Sequence, residues 1–111
     1  MPRRIRQIDV YLPLNYNDGS PIPLEEFQPL EIQLLSRFGG ITSTHRKFPL
    51  QGIWRSEGIV YRDEVVIFGA MDFSKRTDFE MLRYLQSLKS RLKKRFDQLE
   101  ILITLQEMTA I

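Results

Sequence analysis

The 111 residues contain no cysteine. That excludes a disulfide framework, a thiolate zinc site and a cysteine nucleophile. Histidine is nearly absent too: His45 is the single one. A general base or a metal site needs carboxylates or further histidines around it. The neighbours of His45, namely Thr44, Arg46 and Lys47, are a poor ligand set, so a structural role is expected for it. No apolar run approaches the roughly 18 residues of a membrane-spanning helix. The longest, Val65 to Met71, has the length of a buried strand. The basic start Arg3-Arg4-Ile5-Arg6 leads into no apolar signal-peptide core; Ile8, Val10 and Leu12 alternate with Asp9 and Tyr11 instead, as in a strand. The cytoplasm is therefore the expected location. A large excess of either charge is missing as well. The net charge of +2 is too mild to argue for nucleic acid by itself. There are no internal repeats, low-complexity tracts or linkers.

What is present is an ordinary globular composition, 42% hydrophobic and 27% charged. Residues 1–111 are read as one domain with a core that needs no covalent staple. Ile5 to Leu14 reads as a strand. Asn15 to Pro21 is a loop dense in turn formers. From about Pro23 to Phe38, Phe27, Leu30, Leu34, Leu35 and Phe38 recur at helical spacing. Pro29 must kink this helix or open a second segment, and Gly39-Gly40 ends it. A phosphate cradle would have to open a helix, so this glycine pair is not one. Ile41 to Arg55 is extended, with Pro49 and Gly52 marking an edge or a bulge. Ser56-Glu57-Gly58 turns the chain into a partner strand, Ile59 to Phe73. Thr77 to Glu80 has the pattern of a capping box. The helix it opens runs to about Asp97, with Phe79, Leu82, Leu85, Leu88, Leu92, Phe96 and Leu99 expected in the buried stripe. Glu100 to Met108 is the last strand.

This order is β-α-β-β-α-β. Right-handed crossovers place both helices on one side of the sheet. The expected fold is therefore a ferredoxin-like α+β sandwich, an antiparallel four-stranded sheet with two helices on one face. On the other face Val60, Val66, Phe68, Leu102 and Thr104 are expected. That is too apolar for a solvated surface, so a homodimer is expected.

Several stretches carry a resemblance: Phe38-Gly39-Gly40, Gln51-Gly52-Ile53-Trp54-Arg55, Gly58 to Glu64, and Phe96 to Thr104. In them the chain resembles a group of uncharacterised small bacterial proteins common in cyanobacteria. The resemblance spans nearly the whole chain. It implies a bacterial cytoplasmic setting, and since the group has no established activity it carries over no functional residues.

Two clusters are candidates for function. The hairpin brings Trp54, Arg55, Tyr61 and Arg62 together near its tip, and binding surfaces favour aromatics with arginines. Against this, Trp54 and Tyr61 can be a plain cross-strand pair. The second cluster is the run Arg83, Lys89, Arg91, Lys93, Lys94 and Arg95. Part of it complements the helix dipole; Lys89, Lys93 and Lys94 can attract phosphates. The aromatic run of a ribonucleoprotein-type sheet is absent, since Val65 to Met71 is aliphatic. Asp9 stands where small ferredoxin-like nucleases hold a metal, but no second acidic or serine motif supports it. The reading is a non-enzymatic, homodimeric binding protein without cofactor or metal. A nucleic-acid-associated role is the first alternative. A small-molecule enzyme of the dimeric α+β barrel kind is the second; an apolar cavity around His45 or Arg62 would favour it.

Overall fold

The computed structural model describes residues 2–44 and 49–111. His45, Arg46 and Lys47 lie outside the described residues. The order is β1 (Arg3–Pro13), α1 (Leu24–Phe38), β2 (Ile41–Ser43), β3 (Leu50–Ser56), β4 (Ile59–Asp72), α2 (Asp78–Arg95) and β5 (Leu102–Ala110). The alternating apolar residues of β1 place it inside the sheet. It pairs antiparallel with β4 from Arg6↔Asp72 to Pro13↔Val65, and with β5 from Arg3↔Ala110 to Tyr11↔Leu102. The sheet order is β2-β4-β1-β5, with β3 also on β4. This is a ferredoxin-like arrangement of two helices and a five-stranded antiparallel sheet.

The fifth strand arises because the stretch 41–55 is not one element. β2 pairs with the end of β4, from Ile41↔Ala70 to Ser43↔Phe68. β3 pairs with its beginning, from Leu50↔Val65 to Ser56↔Ile59. Pro49 stands just before β3, where a missing amide costs the ladder nothing.

Both helices bury one stripe on the same sheet face. Phe27, Leu30 and Leu34 of α1 and Met81, Leu85, Leu88 and Leu92 of α2 meet Ile8, Val10, Leu12, Val66 and Phe68. Phe27 and Phe96 meet at 5.3 Å between ring centroids. The helices run antiparallel: Arg95 reaches Glu26 at 3.4 Å, while Phe38 meets Tyr84 edge-on at the other end. The sequence signals for the helix ends hold. Gly39, at φ 85°, donates its amide to the Leu35 carbonyl, and the Thr77 hydroxyl accepts from the Glu80 amide. Helix α1 continues through Pro29 as one element.

The expected stripes need correction. Leu35, Phe79, Leu82 and Leu99 are exposed. Met81 sets the buried ridge of α2, and Phe79 and Leu82 are rotated off it at about 100° per residue. Leu99 follows the helix end, and Leu35 lies one residue past the Leu34 ridge. Val66 and Phe68 also need correction, since they are core residues, 1% and 3% exposed. The β4 run is apolar on both faces, so its alternation does not say which face is which. Pairing decides: Phe68 stands opposite Val10 and Val66 opposite Leu12, both under the helices. The helix-free face carries Val65 and Ile67 instead, along with Tyr11, Leu102 and Thr104.

Candidate functional site

Strand alternation fixes what the helix-free face presents. One row crosses four strands there: Thr42 opposite Gly69, Gly69 opposite Asp9, and Asp9 opposite Thr104. The row is polar, and Tyr11, Ile67 and Leu102 beside it are not. Gly69 is what lets the row close up. A β-carbon at Gly69 would lie 2.9 Å from Asp9 Oδ1 and 3.2 Å from Thr42 Oγ1. Asp9 is further fixed by Gln7, whose Nε2 donates to both carboxylate oxygens at 3.2 Å. The arrangement presents a positioned carboxylate and two hydroxyls on an otherwise apolar surface. Among the described residues, no three acidic or histidine side chains come together to hold a metal ion.

The same face continues along β4 into a hairpin that outruns the helices. Residues 59–64 of β4 and all of β3 except Gly52 are exposed. The arm therefore has solvent on both sides. Its turn is tight: Glu57 and Gly58 both have positive φ, 51° and 80°, as a two-residue type I′ connection requires. Trp54 stands opposite Tyr61, and the rings stack at 5.8 Å with 15° between planes. Gly52 lies beside the indole, where a β-carbon would make only ordinary contact with the ring at 3.8 Å. The sequence placed Trp54, Arg55, Tyr61 and Arg62 in one cluster. All four are on the arm, but strand parity splits them. Trp54 and Tyr61 extend the helix-free face, while Arg55, opposite Val60, and Arg62, opposite Ile53, point to the reverse side.

The basic residues of α2 are dispersed. Lys89 pairs with Glu100 at 2.7 Å and Arg95 with Glu26. The Arg91 Nε donates to the Ser87 carbonyl. The hydrogen bond from Lys89, aided by the Ile101 amide and the charges of Lys89 and Lys93, holds the Glu100 carboxyl below its usual range. Lys94 and Arg83 are exposed and have no ion-pair partner among the described residues.

A second polar centre closes the far end of the sheet, and the sequence reading missed it. Asp72 is 2% exposed. Its Oδ1 accepts from the Ser74 amide at 3.0 Å and from Arg76 Nη1 at 3.1 Å. Arg6 stands 3.6 Å from Oδ2, and its other nitrogen donates to Asp78 at 2.6 Å. Burial pushes the Asp72 carboxyl up, but the Ser74 hydrogen bonds and the charges of Arg76 and Arg6 outweigh it and hold it below the ordinary range. The signal available in sequence was an acid ending an apolar strand, with Arg76 four residues on. Gly69 was equally readable, since an isolated glycine inside a strand marks close approach.

No family model and no curated protein matches the chain. Two solved structures share the fold. One is a phage SAM lyase in the apo state, 17% identical, with a TM-score of 0.67, covering 92% of this chain and 79% of that one. The other is a phage SAM lyase in complex with S-methyl-5'-thioadenosine, 14% identical, with a TM-score of 0.64, covering 96% of this chain and 88% of that one.

Proposed function

We propose that the chain is a self-associating binding domain, in which a second copy covers the helix-free face and its arm. The observation that carries this is the arm itself. Trp54, Ile59 and Tyr61, 43–55% exposed, continue the helix-free face along a hairpin with no helix over it, and Ile53 and Val60, equally exposed, make its reverse side apolar too. A two-stranded hairpin is at best marginally stable alone in water. Exposed apolar surface of this kind marks an interface. Light scattering at micromolar concentration is expected to give a multiple of the 13.2 kDa chain mass. Trp54→Ala with Tyr61→Ala should return the protein to monomer while leaving the body's helical signal in place. A monomeric wild-type protein overturns the reading.

A second reading has a specific observation behind it, the polar row around Gly69. Its carboxylate and hydroxyls, set among apolar side chains, match the make-up of a small-molecule site. The likeness in fold to SAM lyases supports S-adenosylmethionine, or a thioether nucleoside such as S-methyl-5'-thioadenosine, as the ligand. Asp9 and Thr42 then position the ligand, and the chain is a small enzyme rather than a purely structural partner. Calorimetric titration with both compounds tests this. Gly69→Ala drives Asp9 and Thr42 apart, so it should abolish binding and cost about 1–3 kcal/mol of stability by overpacking. Binding by Gly69→Ala equal to wild type, or none by wild type, removes the reading.

A further inference from the structure

The sheet end that holds Asp72 opens into a cavity of about 260 Å³, whose lining includes Arg4, Arg6, Asp72, Lys75, Arg76 and Glu107. It lies at the opposite end of β4 from the arm, so it is independent of the seam proposed above. The volume is below the roughly 300–1,000 Å³ of sites for drug-sized molecules, so its ligand is small.

Two features of the lining point to opposite charges on that ligand. The first is a surplus of cations. Four basic side chains face two carboxylates. Arg4 is taken by Glu107 at 2.9 Å, and Arg6 and Arg76 are taken by Asp72. Lys75 has no ion-pair partner among the described residues. The second feature is Asp72 itself. Its side chain is 98% buried, yet Oδ2 accepts no hydrogen bond, and Arg6 comes no nearer than 3.6 Å. A buried carboxylate oxygen lacking a donor is costly unless something supplies one. An anion alone would satisfy Lys75 and worsen the position of Asp72. A cation alone would do the reverse.

We propose that this cavity binds the zwitterionic head of a small α-amino acid. Its carboxylate lies against Lys75 and the Arg4 and Arg76 guanidiniums, and its ammonium donates toward Asp72 Oδ2. L-methionine is the probe, followed by amide chemical shifts of the full chain. Saturable shifts are expected at residues 72–76 and at Arg4 and Arg6. N-acetylmethionine, which lacks the ammonium, and methionine methyl ester, which lacks the carboxylate, should each bind about tenfold more weakly, as the loss of one charged hydrogen bond implies. Lys75 is exposed, so Lys75→Gln should fold normally and also weaken methionine about tenfold. Three outcomes overturn the proposal. One is the absence of saturable shifts with millimolar methionine. Another is inorganic phosphate or N-acetylmethionine binding as tightly as methionine, the mark of a plain anion site. The last is Lys75→Gln binding methionine as well as wild type.

Discussion

Phe27→Ala should lower the unfolding free energy by about 3–5 kcal/mol, the range for removing a fully buried aromatic ring from a core. Phe27 is 0% exposed. It stacks on Phe68 of β4 at 5.9 Å and tilts against Phe96, just past α2, at 5.3 Å. One ring thus links α1, the sheet and the end of α2, and no neighbour can swing in to fill its volume without leaving another gap. The comparison that gives this meaning is Phe79→Ala, on the same kind of residue at a position 71% exposed. That change should stay within about 0.5 kcal/mol. Urea denaturation reads both as midpoint shifts at constant slope. Equal losses for the two would mean that the packing assigned to α2 is wrong.

Asp72→Asn is expected to cost about 2–4 kcal/mol at neutral pH. The amide keeps the shape and can still accept from Ser74, but Arg6 and Arg76 lose their counter-charge. Breaking a fully buried pair costs roughly 3–5 kcal/mol. The lower figure allows for the partial exposure of the two arginines, 16% and 28% at the side chain. The loss should depend on pH in a defined direction. The Asp72 carboxyl is held below its ordinary range, and an unperturbed aspartate titrates near about 3.9. Its stabilisation is therefore complete above that value, and it fades as the pH falls through the lower, folded-state pKa. Wild type and Asp72→Asn should differ by a constant amount above about pH 5 and converge below about pH 4. A gap that stays constant down to pH 2 would show that the effect is packing rather than charge.

The architecture was legible because its signals were local and concordant. Gly39 stops α1 where a left-handed residue is needed, Thr77 caps α2, and the alternation from Ile8 to Leu12 places β1 in the sheet. Errors came where a pattern fitted two answers. Val65 to Met71 is apolar at every step, so only the pairing with β1 reveals that Phe68 faces in and Ile67 out. Phe79 and Leu82 sit at helical spacing from Leu85 and Leu88, yet Met81 occupies the ridge. The arm leaves a trace in the sequence: Arg62-Asp63-Glu64 is polar on both faces because β4 has not yet entered the body. The row at Gly69 joins residues 27 to 95 positions apart, and the centre at Asp72 takes Arg6 from 66 positions away, pairings which no window along the chain can show.

β4 runs 14 residues without a break, half of it inside the body and half in the arm. The arm thus takes its direction from the sheet's twist but not its protection. Its ladder hydrogen bonds have no hydrophobic layer above or below them, so they open from the low end of the stability scale, well before the body unfolds. Whatever docks there must order that hairpin as it binds, and the entropy of doing so is subtracted from the contact energy. The grip of the arm on its partner is therefore governed as much by the stiffness of the Glu57-Gly58 turn and the Trp54–Tyr61 stack as by the surface they present.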